Sequence, residues 1–131
     1  MASLELTPDV TSPSRARAFT RQLLGEWHIA SHITEDAELL VTELVTNAVV
    51  HAATPVTVEI SRENRVLRFI VSDGARGSIP LRVPVAEAVT GRGVYLLDRI
   101  SDDWRVVETD EGKSVLFELV VAATGMADDT G

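Results

Sequence analysis

From Thr34 to about Ala52 the chain carries apolar residues at helical spacing, and one stripe of that segment is polar in an unusual way. Glu43, Asn47 and His51 follow one another at intervals of one turn, so in a helix their side chains rise on a single face. Leu40, Leu44, Val45, Ala48 and Val49 take the other face. An amphipathic helix with a wet side accounts for such a pattern. Against that account, the stripe has no Lys or Arg and no Glu-to-Lys pair at helical spacing, which an ordinary solvated face carries. A ligand site and a structural polar stripe therefore compete, and the rest of the chain has to decide between them.

The segments on either side are punctuated regularly. SLEL reads as a short strand, and Ser12-Pro13 reads as a cap followed by proline in the first turn of a helix over RARAFTRQLLGEW, with Ala16, Phe19, Leu23 and Leu24 as its apolar stripe. Thr34 is the candidate cap of the polar-striped helix, with Glu35 and Asp36 at the positive end of its dipole. After Pro55, VTVEISR alternates as a half-buried strand, Glu63-Asn64 turns the chain, and VLRFIVSD forms a second strand. Periodicity then fades over GARGSIPLRVPVAEAVTGRG, which has four glycines and two prolines. So long an irregular stretch inside a compact domain is usually functional, and Ser78 to Thr90 is expected to be a mobile lid. A short helix VYLLDRI, a strand WRVVET, a turn at Asp110-Glu111-Gly112 and a strand SVLFELVV complete the pattern.

Composition bounds the answer. With 131 residues, 45% of them hydrophobic, the chain has enough material for one core and too little for two ordinary domains. A single domain over 1–131 is expected, with an ordered core from about 3 to 121 and a flexible tail at 122–131. The net charge of -8 argues against nucleic acid or an anionic membrane as the main partner. It leaves room for a phosphate ligand if Mg²⁺, local cations or a helix N-terminus supply positive potential. The absence of cysteine removes disulfides, thiolate zinc sites and cysteine nucleophiles, and fits a cytoplasmic protein. Neither a signal peptide nor an apolar run long enough to span a bilayer is read.

Two further stretches carry chemical signals. In VSDGARG, Asp73 stands where a strand gives way to a glycine-bearing loop. It is either one half of an Asp-Gly turn or a carboxylate that accepts the exocyclic amine of adenine and repels the oxygen guanine presents there. Gly74 and Gly77 would let backbone approach a flat ring. In TGRGVYLLDRI, Gly91 and Gly93 flank Arg92 before a helix, so the loop is either a hinge or a place where backbone amides and the helix dipole face a polyphosphate. The string matches neither a Walker loop nor a dinucleotide fingerprint. His28 and His32 have zinc-pair spacing but no Glu after the first and no evident third ligand, and Trp27 and Trp104 read as core.

Taken in order, ELVTNAVVHA, VSDGARG, GRGVYLLDRISDDW and GKSVLFEL resemble the small anti-sigma regulatory factors, or switch-protein serine kinases, of the ATPase superfamily that includes gyrase, histidine kinases and MutL. The resemblance runs from about Pro8 to about Val121. It implies an α+β, two-layer sandwich, with a mixed, mostly antiparallel sheet covered on one face by helices. It implies ATP and Mg²⁺ as cofactors, Asn47 as the Mg²⁺ ligand and Glu43 as the base or orienting group for an attacking hydroxyl. Asp73 would hold the adenine amine, Gly77 fits the glycine box that follows it, and Gly91 and Gly93 with Arg92 would close over phosphates. Ser114 stands where the family has a threonine near the last strand, and His51 either contacts nucleotide or closes the stripe. The sequence departs from the family pattern at Ala75 and Val94, where glycines are usual. The implied function is a serine/threonine protein kinase that binds a sigma factor, phosphorylates an anti-sigma factor antagonist and can pair as a homodimer. The alternative is a nucleotide-loaded module that sequesters a protein partner without significant catalysis.

Overall fold

The computed structural model describes residues 1–74 and 91–121. Among the described residues, eight elements follow the sequence pattern: β1 (Ala2–Leu6), α1 (Ser12–Glu26), α2 (Ser31–His51), β2 (Val56–Glu63), β3 (Val66–Asp73), α3 (Gly91–Ile100), β4 (Asp103–Thr109) and β5 (Gly112–Val120). The strands form one sheet in the order β1-β2-β3-β5-β4, and all four pairings are antiparallel. The expected mixed sheet is therefore antiparallel among the described residues. Two helices between β1 and β2 carry the chain across the sheet twice, so β2 returns against β1. On the other side, β5 inserts between β3 and β4 and separates the pair that would run parallel.

Alternation supplies one apolar face. Val56, Val58 and Ile60 of β2, Leu67, Phe69 and Val71 of β3, and Val115, Phe117 and Leu119 of β5 are all buried. Phe69 and Phe117 face each other in register and stack with ring centroids 4.5 Å apart. Against this face α2 lays Leu40, Val41, Leu44, Val45 and Ala48, while α1 contributes Ala16 and Leu24 and α3 contributes Leu97. Each of the Val, Leu, Ile and Phe side chains removed from water is worth roughly 1.5–3 kcal/mol before entropy is counted, so the α2–sheet contact anchors the geometry of everything α2 carries. The other face of the sheet is polar at its centre: Arg68 of β3 reaches Glu118 of β5 at 2.8 Å, and Ser72 meets Ser114 at 2.8 Å.

Helix starts differ from the expected caps. Ser12 is the first residue of α1, with Thr11 before it, and it is buried with its hydroxyl donating to the Thr7 carbonyl. Asp9 organises that loop instead, accepting from the Thr11 amide at 2.8 Å and from both threonine hydroxyls. These bonds favour the charged carboxylate and lower its pKa to about 2. α2 begins three residues earlier than expected, at Ser31, so Thr34 lies inside its first turn. The register is held by α1: Arg21 donates to Glu38 at 2.9 Å and Arg17 at 3.1 Å. Trp27 and Trp104 pack against the core, and Trp104 Nε1 donates to Asp98 at 2.7 Å.

Candidate nucleotide-binding site

On β3 the inward positions are Leu67, Phe69, Val71 and Asp73, so strand parity alone turns the last of them, a carboxylate, toward the helices. Asp73 is buried, with its side chain 3% exposed. The strand end is held from two sides. The Gly74 amide donates to Thr54 Oγ1 at 2.7 Å, tying β3 to the segment after α2. Gly112, with φ +143°, lies against the Asp73 carbonyl.

Above this end stands α2. Asn47 projects into a small cleft with Asp73 and Lys113, walled by Leu44 and Ala48 of the helix and by Val71 and Val115 of the sheet. Glu43, one turn back along α2, is half-buried and outside that lining. His51, one turn further on, is exposed and also outside it. The polar stripe is thus graded, and of its three members the structure brings Asn47 together with Asp73.

Lys113 is the residue that reading the sequence missed. It sits directly across from Asp73 in the β3–β5 register, 12% exposed, with its ammonium 3.9 Å from Asp73 Oδ2. Parity would have found it: Val115, Phe117 and Leu119 are inward, so Lys113 is inward too. By the same parity Ser114 faces away. Its hydroxyl is bonded to Ser72 on the outer face, so the structure does not bring it into the cleft.

The glycine pair is not a loop before a helix but the first turn of α3, which opens at Gly91 and holds Arg92 and a buried Gly93. Gly77, Ala75 and the stretch Ser78 to Thr90 lie outside the described residues, as does the tail 122–131. A separate, more open cavity between α1 and α2, lined by Arg17, Arg21, Glu38 and Thr42 among others, shares no residue with the cleft. There the guanidinium groups of Arg21 and Arg17 hold the Glu38 carboxyl below the usual carboxylate range, against the opposing effect of burial.

Residues 6–119 match the family described as the histidine kinase-like ATPase domain. The chain belongs to that family. Among solved structures, the RsbU and RsbW domains of Rv1364c from Mycobacterium tuberculosis superpose with a TM-score of 0.71 over 92% of the chain at 16% identity. The histidine kinase domain of the blue-light activated histidine kinase from Erythrobacter litoralis EL346 does so with a TM-score of 0.58 over 82% at 20% identity. The chain covers 32% of the mycobacterial structure and 58% of the other, and at these identities the likeness is one of fold. No curated protein sequence matches. As a histidine kinase-like ATPase domain the chain has an ATP-binding fold, and the cleft between α2 and the ends of β3 and β5 gathers Asn47, Asp73 and Lys113. No helix among the described residues is long and apolar enough to cross a membrane.

Proposed function

We propose that the protein is an ATP-binding anti-sigma regulatory factor that phosphorylates a serine or threonine of an anti-sigma factor antagonist. The observation that carries the reading is the meeting of Asn47 and Asp73 in one cleft, from a helix and a strand that the core holds rigidly together. Asp73 accepts the exocyclic amine of adenine in a site with little water, where a charge-assisted bond counts most. The Asn47 amide oxygen is a donor of the kind Mg²⁺ takes, and the residues present fit the ion: one protein oxygen on a rigid helix, with the phosphates and water for the remainder. Mg²⁺, when bound, neutralises charge on the phosphates. Glu43, on the same helix, orients or accepts the proton of the incoming hydroxyl.

The RsbW domain named for the mycobacterial structure supports a regulatory role with protein partners, which here would be a sigma factor and an antagonist, with a second copy of the chain as a further partner. The position of Glu43 outside the cleft lining favours a second reading, a nucleotide-loaded module that holds its partner without transfer. Transfer of label from γ-labelled ATP to a candidate anti-sigma factor antagonist separates the two. Stoichiometric labelling supports the kinase. Nucleotide-dependent partner binding with no labelling leaves the module.

A further inference from the structure

Asn47 and Asp73 reach the cleft from different elements, and the short connection after α2 lies where those elements meet. Residues 52–55 join α2 to β2, whose first residue, Val56, stands opposite Asp73. The connection is tightly made. The amides of Ala52 and Ala53 both reach back to the Ala48 carbonyl, at 2.9 and 3.2 Å, and Ala53 has φ 55°. That left-handed region is disfavoured for a residue with a Cβ, and such strain persists only where neighbouring contacts over-determine it.

Thr54 supplies one of those contacts. By the β2–β3 register Pro55 falls opposite Gly74, and having no amide proton it ends its side of the ladder. The Gly74 amide turns instead to the Thr54 hydroxyl, at 2.7 Å. A Cβ added to Gly74 would meet the Thr54 side chain at 3.4 Å, so Thr54 lies close against the chain immediately after Asp73. The direction of the Asp73 Cα–Cβ bond is set by the peptides on either side of it. The following peptide is the one that Thr54 holds.

We infer that Thr54 is a positioning residue for base recognition: by holding the Gly74 amide it fixes the end of β3 against the α2–β2 connection, and so aims the Asp73 carboxylate in the cleft that Asn47 shares. Thr54 is not among the residues lining that cleft and acts through Gly74. The inference rests on the adenine reading of Asp73 given above and deepens it. A hydrogen bond to the 6-amine weakens steeply as its angle opens, so a small turn of the Asp73–Gly74 peptide is felt in the choice of base.

Calorimetry on the whole chain with Mg-ATP and with Mg-purine riboside triphosphate, the same nucleotide with hydrogen in place of the 6-amine, reads base recognition apart from phosphate binding. The parent should favour ATP about tenfold or more, the scale of one charge-assisted bond. Thr54→Val keeps the shape and removes the acceptor, and should lower that preference roughly threefold or more by weakening ATP alone. Because Gly74 is exposed and water can replace the hydroxyl, the variant should melt close to the parent. Thr54→Ser restores an acceptor and should restore the preference. A purely structural Thr54 gives another pattern, in which melting falls, both ligands weaken together and their ratio stays. That pattern, a folded Thr54→Val with the parent's full ratio, or a serine variant no better than valine would each overturn the inference. Should the valine variant not fold, Thr54→Ala goes through the same titrations, and failure of both to fold makes the residue structural and overturns it too. A parent that binds the two nucleotides equally fails earlier, and removes the adenine assignment of Asp73 itself.

Discussion

Gly112 and Asp73 are in backbone contact: a Cβ built on Gly112 would overlap the Asp73 carbonyl oxygen and come within 2.9 Å of Gly74 Cα. The β4–β5 turn is drawn against the end of β3, and the φ of +143° at Gly112 makes this possible. Because Lys113 is the next residue, the same contact sets the spacing between the ammonium and the carboxylate.

Gly112→Ala should therefore do two things. The unusual φ alone costs about 1–3 kcal/mol, and the overlap adds to it, so the melting temperature should drop by several degrees. At temperatures where the variant is still folded, ATP affinity should fall as well, because Asp73 and Lys113 are displaced together. A variant that melts lower but binds ATP as the parent does would show that the turn supports only the fold.

The contact also shows where the sequence stops being informative. Asp73 was legible because its place follows from one strand's alternation and the glycine beside it. The α2 stripe was legible because helical spacing is local. Lys113 was not, because its chemistry depends on a partner 40 residues earlier in the chain and brought opposite by sheet register. Choosing Ser114, one residue on, chose the opposite face, since side chains in a strand alternate. The caps failed for a similar reason: Asp9 and the hydroxyls of Thr7, Thr11 and Ser12 rearrange as a set, and no single residue in that loop announces which of them accepts.

Base selectivity gives the second prediction. The chain should bind ATP and ADP and discriminate against GTP. Asp73→Asn keeps the shape but puts a donor where the amine points, at a cost of about 1.5–3 kcal/mol, or roughly tenfold or more in ATP affinity. Asn47→Ala should chiefly remove the dependence of affinity on Mg²⁺. Titrations with and without chelator read both effects, and an Asn47→Ala protein whose Mg²⁺ dependence is intact would place the metal elsewhere.

Acid should weaken the fold through two carboxylates. Glu38, held low by Arg21 and Arg17, has a folded-state pKa below the ordinary 4.5. Its contribution is fully present above about 4.5 and is lost as pH falls below that value. Asp9, at about 2 against an ordinary 3.8, contributes in the same sense and loses its share between those two values. Asp36 is pushed up by burial and acts in the opposite direction. The test is therefore in single variants: Glu38→Gln and Asp9→Ala should each flatten the acid limb of melting temperature against pH. A limb as steep as the parent's in both would assign acid sensitivity to other groups.

The remaining prediction separates enzyme from module and returns to the stripe on α2. If Glu43 serves the chemistry, its carboxylate has to take or orient a proton while Asn47, one turn away, holds the metal on the phosphates. One helix delivers both side chains, and Leu44, Val45 and Ala48 fix that helix on the sheet, which is the rigidity that positioning needs. Glu43 lies one turn back along α2 from Asn47 and outside the cleft lining, so the transfer assay and not its position decides between the two readings. Replacing Glu43 with Gln preserves shape and hydrogen bonding and removes the basic oxygen. Glu43→Gln should then bind Mg-ATP about as well as the parent, melt at the same temperature, and transfer phosphate to the antagonist at least ~10²-fold more slowly, the usual scale for a lost general base. A structural Glu43 would give another pattern, with stability and nucleotide affinity falling together. Undiminished transfer by the Gln variant would end the catalytic role of Glu43. A folded, ATP-bound parent that transfers nothing to its true antagonist would leave the sequestering module as the function.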